Sequence, residues 1–250
     1  MFYIDSVDNK KILKSSLLSE FSEKFKHLFT TRESFIKTKA PALHNTAKAN
    51  RDVLLRHLNI TSDSLIEINQ THSANIAIGA KTPDFIDNTD GIILYKPGSA
   101  TILNFADCTP IILYDTKNNI LAGLHGGWRG TAGRISALGV KLMKEKFNSH
   151  PGDIIAAIGP CIGQEDFEAG MEVHKALKDS VKDNEGLFKF RNDKVFSDLA
   201  KINTRQLTEE GVKTIDTCHF KTYKDNDLFF SYRRENGTTN RISLILSLVK

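Results

Sequence analysis

Six short segments of β-type sequence follow one another in the middle of this chain, and they constrain its fold more than any other feature. Each segment is rich in Ile and Leu, and turn residues separate it from the next. Segments this short and closely spaced indicate a sheet-rich centre rather than a row of long helices. They are 65–70, 75–78, 91–95, 101–105, 110–114 and 120–124.

Helical spacing of apolar residues flanks this centre on both sides. The mixed order of helices and strands predicts an α+β fold in layers rather than a regularly alternating βαβ fold. Residues 29–32 are typical of a strand end that enters a loop. The predicted helices are 11–26, 50–58, 130–147, 173–181 and 195–210, and further strands are predicted at 154–158, 228–232 and 242–248, the last two around the turn Glu235-Asn236-Gly237.

The size of the chain favours one domain, and its charge does not suggest nucleic-acid binding. A chain of 250 residues that is 40% hydrophobic can bury a full core, so we expect residues 1–250 to form a single domain. The formal net charge of +4 is dispersed, unlike the basic arms that bind nucleic acid. No segment resembles a signal peptide or a membrane span. We therefore expect a soluble, cytoplasmic protein that binds neither nucleic acid nor membrane.

The three cysteines predict free thiols or metal ligands. Cys108, Cys161 and Cys218 are too few and too far apart for a disulfide scaffold, and an odd number leaves one unpaired.

Three residues with zinc-binding side chains lie at the ends of predicted strands. His72 lies just past the segment 65–70, Cys108 lies shortly after 101–105, and His125 directly follows 120–124. Zinc takes His and Cys as ligands, and three protein ligands leave a fourth position open, as in catalytic sites. Taken alone, a histidine such as His72 is more often a satisfied polar residue and a lone buried cysteine is usually core filler. The spacing of the three residues fits no zinc-finger pattern.

The same residues also suit other chemistry. Cys108 beside a histidine is a candidate thiolate nucleophile for acyl transfer, which the sequence does not separate from metal binding. Asp107 is a candidate to orient a histidine ligand or to act as a base, and it is equally suited to capping a turn.

Arginines at three places are candidate anion-binding groups. Arg129 belongs to the glycine-rich run 126–131 ahead of a predicted helix, where backbone amides and a guanidinium can hold phosphate. The run lacks the Lys-Ser/Thr ending of a P-loop, and a tight turn with Trp128 packed beneath it is the structural alternative. Arg32 and Arg233 stand at predicted strand ends, where an anion site and a solvated edge are both consistent with the sequence.

Seven short motifs occur along the chain in a recognisable order. They are Phe29-Thr30-Thr31-Arg32, Gln70-Thr71-His72, Asp90-Gly91, Ala106-Asp107-Cys108-Thr109-Pro110, His125-Gly126-Gly127-Trp128-Arg129-Gly130, Ile158-Gly159-Pro160-Cys161-Ile162-Gly163 and Phe229-Phe230-Ser231-Tyr232-Arg233-Arg234. Together they resemble the laccase-domain family, whose members are described as polyphenol oxidoreductases, zinc-dependent purine nucleoside phosphorylases and peptidoglycan editing factors. The similarity runs from about Phe29 to Leu246.

The resemblance implies a fold, a metal and a reaction. The fold would be a single-domain α/β/β/α layered sandwich, similar to a bacterial toxin deamidase. The activity would be zinc-dependent phosphorolysis of adenosine, inosine, guanosine and methylthioadenosine, with adenosine deamination as a second activity. On this basis the expected catalytic residues are His72, Cys108 and His125, which are also the metal ligands, and Asp107; phosphate or substrate would be bound by Arg32, Arg129 and Arg233.

Two other functions and two departures from the family pattern stay open. Copper in place of zinc would suit a polyphenol oxidoreductase, although a multicopper oxidase needs many more ligands than three. A noncatalytic protein that binds nucleosides or cell-wall fragments is the other alternative, and a monomer and a homodimer are both consistent with the sequence.

Glu33 to Lys37 replace the family's Gly-Gly-Val-Ser, which predicts a remodelled loop over the substrate. His219 replaces a threonine and is a candidate extra ligand.

Overall fold

The computed structural model describes residues 1–250, which form 17 strands and six α-helices. None of the helices combines the length and the apolar character needed to span a bilayer. The strands are β1 (Phe2–Val7), β2 (Lys10–Ser15), β3 (Phe25–Thr30), β4 (Lys37–Thr38), β5 (Leu65–Ile68), β6 (Ile76–Gly79), β7 (Asp84–Ile86), β8 (Gly91–Leu94), β9 (Ala100–Phe105), β10 (Thr109–Asp115), β11 (Ile120–Gly126), β12 (Ile154–Ile158), β13 (Glu168–Ala169), β14 (Phe188–Arg191), β15 (Lys194–Ser197), β16 (Thr214–Thr217) and β17 (Asn240–Leu248). The helices are α1 (Ser16–Ser19), α2 (His44–His57), α3 (Trp128–Ala132), α4 (Ile135–Phe147), α5 (Met171–Lys178) and α6 (Leu199–Glu209).

Most of the strands belong to two large sheets. Sheet 1 has the order β1-β2-β3-β17-β9-β5-β7, with β4 paired to β17, and sheet 2 has the order β16-β12-β10-β11-β8-β6. Neighbouring strands are mostly antiparallel, while β5 runs parallel to β7 and β9, β6 to β8, and β12 to β16. A small third sheet has the order β13-β15-β14.

The two large sheets pack face to face around the largest apolar cluster of the molecule. Phe29 and Leu246 from sheet 1 and Ile112 and Tyr114 from sheet 2 are fully or almost fully buried in this cluster. The sheets approach so closely that a Cβ added at Gly123 of β11 would lie 2.8 Å from a methyl group of Leu246. Burial of apolar surface between the sheets is therefore the main source of stability in this layer.

Helices cover the outer face of each sheet. Leu54 and Leu58, in α2 and at its end, pack on the outer face of sheet 1. Val140 of α4 and Leu207 of α6 belong to the cluster on the outer face of sheet 2. The layers follow the order helix, sheet, sheet, helix, which confirms the α/β/β/α architecture; the likeness to a toxin deamidase stays a prediction.

The central β segments are confirmed, but the predicted helix over 11–26 is wrong. These residues form β2, the single-turn helix α1 and part of β3, and β2 pairs with β1 on one side and β3 on the other. Of the apolar residues at helical spacing in this segment, Leu13, Leu18 and Phe25 are buried in the core between the sheets. Long-range strand pairing therefore overrides the local pattern.

Two other predicted elements are also wrong in part or in full. The helix over 195–210 begins only at Leu199, because Asp198 caps it and the residues before Asp198 form β15. The strand over 228–232 does not form, since Arg32 and Arg234 donate hydrogen bonds to the carbonyl of Phe229 at 3.0 and 2.8 Å. The helices over 50–58, 130–147 and 173–181 and the strands over 154–158 and 242–248 are confirmed, although the first helix already begins at His44 and Gly133 and Arg134 interrupt the second.

Three connections cross from sheet 1 to sheet 2. They join β5 to β6, β7 to β8 and β9 to β10, and each is a short loop without regular structure. These crossing loops carry His72, Asp90 and Cys108 respectively.

Candidate metal site

His72, Cys108 and His125 meet at one end of the two-sheet sandwich. One ligand atom from each lies within 4.8 Å of the other two. The rings of His72 and His125 are 5.0 Å apart between centroids, at an angle of 70°. His125 lies in β11 opposite Pro110 of β10, and the other two residues come from crossing loops. The fold thus brings together the three donors that the sequence predicted as metal ligands.

Gly127 forms the floor of this cluster. A Cβ added at this position would lie 3.2 Å from Cys108 Sγ and 3.2 Å from His72 Cδ2, with His125 Cε1 at 3.9 Å. A side chain here would occupy the space that the three donors surround. Two imidazoles and one thiolate around such a space fit zinc or another borderline-soft ion.

The cluster is closed on one side and open on the other. His125 is 3% exposed, Cys108 is half-buried, and His72 is exposed. A ligand can therefore approach the three donors from the side of His72, which matches the open position of a catalytic metal site.

Asp90 is the residue that the sequence analysis missed. Its carboxylate is fully buried and accepts a hydrogen bond from His125 Nδ1 at 2.7 Å. It also accepts from the backbone amides of Thr71, His72 and Ser73 at 3.1, 3.0 and 2.6 Å. The only sequence signal was the motif Asp90-Gly91, whose aspartate was given no role.

The charges around the cluster favour a thiolate. Burial alone would raise the pKa of Cys108, but the charge and hydrogen bonds of His125 and His72 outweigh it and lower that pKa. Burial lowers the pKa of His125, whereas the Cys108 thiolate and the hydrogen bond to Asp90 raise it above the ordinary value. These contacts therefore favour the thiolate, which is the form that metals bind and that nucleophilic attack requires.

The Asp107 carboxylate is engaged away from the histidine rings. It accepts hydrogen bonds from the hydroxyls of Thr222 and Ser231 at 2.6 and 3.0 Å, and from the backbone amide of Arg233 at 2.7 Å. The backbone of Asp107 has a φ of +85°, a conformation that residues other than glycine rarely adopt. These contacts hold the chain in the turn that presents Cys108.

The three candidate arginines are in different situations. Arg32 forms an ion pair with Glu235, and its guanidinium lies 4.4 Å from the centre of the Phe230 ring. The guanidinium of Arg233 donates to the carbonyls of Asp166 and Glu168 at 3.4 and 3.1 Å.

Arg129 is the candidate whose guanidinium donors stay free. It is exposed and stacks 4.2 Å from the centre of the Trp128 ring, without a hydrogen bond or ion pair to a protein acceptor. Its helix α3 has five residues, so any anion binding here depends on the side chain of Arg129.

The remaining candidates lie outside the cluster. Phe35 and Ile36 of the segment that departs from the family pattern are buried, and Asn50 donates a hydrogen bond to the Phe35 carbonyl at 2.8 Å. His219 stacks on a neighbouring ring and does not join the metal cluster. Burial raises the pKa of Cys161 to about 11 and that of Cys218 to about 12, so both are inert thiols.

Comparison with known proteins identifies the family. The family described as multi-copper polyphenol oxidoreductase laccase matches residues 41–248. The chain belongs to this family. A protein named purine nucleoside phosphorylase from Bacteroides thetaiotaomicron is 28% identical over 96% of this chain and 97% of its own length. One of the same name from Haemophilus influenzae is 30% identical over 88% of this chain and 93% of its own.

A solved structure of this family has the same fold. The crystal structure of YlmD from Geobacillus stearothermophilus superposes with a TM-score of 0.86 at 24% identity, and the alignment covers 99% of each chain. At this identity the similarity shows the fold, and the reaction must be argued from the site.

Proposed function

We propose that this member of the family is a zinc-dependent purine nucleoside phosphorylase in which residues 1–250 work as one domain. The observation that carries the proposal is the cluster of His72, Cys108 and His125 with one open side. The names of the Bacteroides and Haemophilus relatives support the substrate class. Adenosine, inosine, guanosine and methylthioadenosine are the proposed substrates.

The donor set fits one zinc ion. His72, Cys108 and His125 would hold it, and when bound it would act as a Lewis acid that polarises a substrate group at the open position. Cys108 contributes a negative charge, and His125 is held in place by Asp90. We place Asp107 with the residues that position Cys108.

Phosphorolysis needs a fixed anion beside the sugar. Phosphate oxygen forms a bond to C1′ of the ribose while the bond from C1′ to the purine nitrogen breaks, and the departing purine takes up a proton. The products are ribose 1-phosphate and the free base. We assign Arg129 to hold phosphate, because a free guanidinium binds phosphate with two donors and does not neutralise the nucleophile by proton transfer. Arg32 and Arg233 are proposed to hold the loops around the site.

Deamination of adenosine is proposed as a second activity of the same site. Water replaces the amino group at C6, so inosine and ammonia are the products. For deamination, the purine edge that carries C6 would have to enter the open side of the cluster. For phosphorolysis, the sugar would have to enter it instead.

Metal content tests the ligand assignment. Purified wild-type protein should contain about one zinc per chain, and Cys108→Ala should contain almost none while keeping its fold by circular dichroism. Cys161→Ala is the matched control, because this cysteine lies outside the cluster. Full zinc content in Cys108→Ala would show that Cys108 is not a ligand.

Product analysis tests the reaction. Zinc-loaded protein should release hypoxanthine from inosine only when phosphate is present, with an equal amount of ribose 1-phosphate. Arg129→Ala should raise the KM for phosphate and keep its zinc, whereas Arg191→Ala, which removes another surface arginine stacked on a ring, should have no effect. Equal release without phosphate would indicate a hydrolase. Zinc binding without turnover of any nucleoside would favour a noncatalytic binding protein.

Copper-dependent oxidation is the second candidate, and the family description favours testing it. The structure brings together one cluster of three metal-binding side chains, whereas a multicopper oxidase needs several. Oxidation of phenols by copper-loaded protein, with no nucleoside cleavage by the zinc form, would place the oxidase ahead of the phosphorylase.

A further inference from the structure

The carboxylate of Asp90 contacts both histidines of the metal cluster through the same oxygen atom. Oδ1 accepts the ring Nδ1–H of His125 at 2.7 Å and the backbone N–H of His72 at 3.0 Å. The two histidines are 53 residues apart in the sequence (125 − 72), and Asp90 lies between them.

The contact with Asp90 determines which ring nitrogen of His125 is available to bind a metal. A carboxylate can only accept a hydrogen bond, so Nδ1 of His125 must carry a proton, and Nε2 is the ring nitrogen left to bind a metal. The backbone amide of His125 also donates to the carbonyl of Asp90 at 2.7 Å. With both contacts made to one residue, the imidazole has one orientation and one tautomer.

On His72, Asp90 holds the backbone of an exposed loop. Three consecutive amides, those of Thr71, His72 and Ser73, converge on the carboxylate, and the Ser73 hydroxyl donates to Oδ2 at 2.7 Å. Convergent amides of this kind stabilise an anion. They also keep His72 in a left-handed conformation with a φ of +62°, which residues other than glycine rarely adopt.

We propose that Asp90 is a positioning residue that sets the tautomer of His125 and the backbone conformation of His72, and thereby joins the loop of His72 to strand β11 in one metal site. The inference rests on the metal site of the proposed function, but not on the reaction. A buried aspartate that only stabilised the loop would need the amide contacts alone. The hydrogen bond to the His125 ring is the additional contact that points to the metal.

Asp90→Asn tests the role of the carboxylate. The amide group would keep the size of the side chain but present an N–H to the surrounding donors. We expect zinc affinity to fall about 10- to 100-fold in competition with a chromophoric chelator, as for other residues that orient metal ligands. The visible absorption bands of the cobalt-substituted protein should shift, because these bands report ligand geometry and are insensitive to stability alone.

Asp87→Asn is the matched control. Asp87 accepts a hydrogen bond from Asn69 at 2.7 Å in the neighbouring part of the same loop and does not contact a ligand. This variant should keep wild-type zinc affinity and wild-type cobalt bands. Should Asp90→Asn fail to fold, Ser73→Ala removes one donor to the same carboxylate and should weaken zinc binding by a smaller factor.

The outcomes separate this inference from the proposed function. Unchanged zinc affinity and cobalt bands in Asp90→Asn, or unchanged affinity in Ser73→Ala where Asp90→Asn does not fold, would overturn the positioning role alone. A wild-type protein that binds no zinc would overturn both proposals. Weakened zinc binding in Asp90→Asn together with no phosphorolysis by the wild type would support the positioning role and overturn the proposed reaction.

Discussion

Gly127 lies so close to the metal cluster that there is little room for a side chain at this position. Gly127→Ala would place a methyl group 3.2 Å from Cys108 Sγ and from His72 Cδ2. Since His72 is exposed, we expect it to move away, and zinc affinity to fall on the order of 10-fold with the fold retained. Zinc competition and circular dichroism on the same samples measure the two effects.

Gly170→Ala is the control for this change. Gly170 also precedes a helix and has nearly the same backbone angles, −68° and 163° against −66° and 168°, but nothing lies within 4 Å of its added Cβ. Its zinc affinity should equal that of the wild type. Equal affinity in both variants would mean that the cluster has room for the methyl group.

His27 makes the free energy of unfolding of the protein depend on pH in the acidic range. It is buried in β3 and accepts a hydrogen bond from the Ser15 amide at 3.0 Å, which requires the neutral ring. Burial and the charge of Lys14 lower the pKa of His27 to about 3. An unfolded chain binds this proton below about pH 6.5, so the stability that neutral His27 contributes is complete above pH 6.5 and is lost as the pH falls towards 3.

His27→Gln measures this contribution. A glutamine oxygen can accept from Ser15 and does not titrate. Between pH 6.5 and 5 the wild type should lose up to about 2 kcal/mol more of its free energy of unfolding than the variant does. Urea unfolding at both values gives the difference, and parallel curves for the two proteins would contradict the assignment.

Among single residues, the donors were predictable and their support was not. His72, Cys108 and His125 each stand at the end of a recognisable β segment, and their side chains have zinc chemistry. Asp90 acts through contacts with the loop of His72 and with strand β11, whose His125 lies 35 residues away from Asp90 in the sequence. A sequence pattern contains no sign of such convergence, so only the structure shows it.

At the scale of elements, Asp198 separates β15 from α6. Its carboxylate accepts a hydrogen bond from the Lys201 amide at 3.0 Å and so satisfies the first turn of the helix. Asp198→Ala should lower the free energy of unfolding by about 1 kcal/mol, while Asp198→Ser should keep most of it. Chemical denaturation of the three proteins is the test, and equal losses in both variants would show that the cap itself contributes little.

The predicted elements fail where local spacing and long-range pairing disagree. Apolar residues over 11–26 have helical spacing, but pairing of β2 with β1 and β3 buries most of them in two strands and one turn of helix. The central segments had no such competing pattern, because turn residues divided them into lengths too short for helices. The arrangement of these strands in two sheets came from the family resemblance and could not be derived from spacing.

At the scale of the molecule, Gly123 controls how closely the two sheets pack. Gly123→Ala would place a methyl group 2.8 Å from Leu246 and 3.0 Å from Leu103, both in sheet 1. We expect a loss of about 1–3 kcal/mol in the free energy of unfolding, the usual cost of overpacking. Thermal and chemical unfolding should both show this loss in the free energy of unfolding.

A compensating change distinguishes overpacking from other causes. Leu246→Val removes the methyl group that the new side chain meets, so the double variant should recover part of the loss. Additive losses in the two variants would show that the sheets adjust to the methyl group elsewhere.

The position of β17 determines when this protein can complete its fold. β17 lies in the middle of sheet 1 between β3 and β9, yet it follows all the other strands of this sheet in the sequence. Until it emerges, the facing edges of β3 and β9 are unpaired on the nascent chain, and such edges attract other strands. Strand pairing over this distance is slow, so synthesis leaves an aggregation-prone interval that ends only when β17 inserts. A chaperone that shields sheet edges during this interval should therefore raise the yield of folded protein.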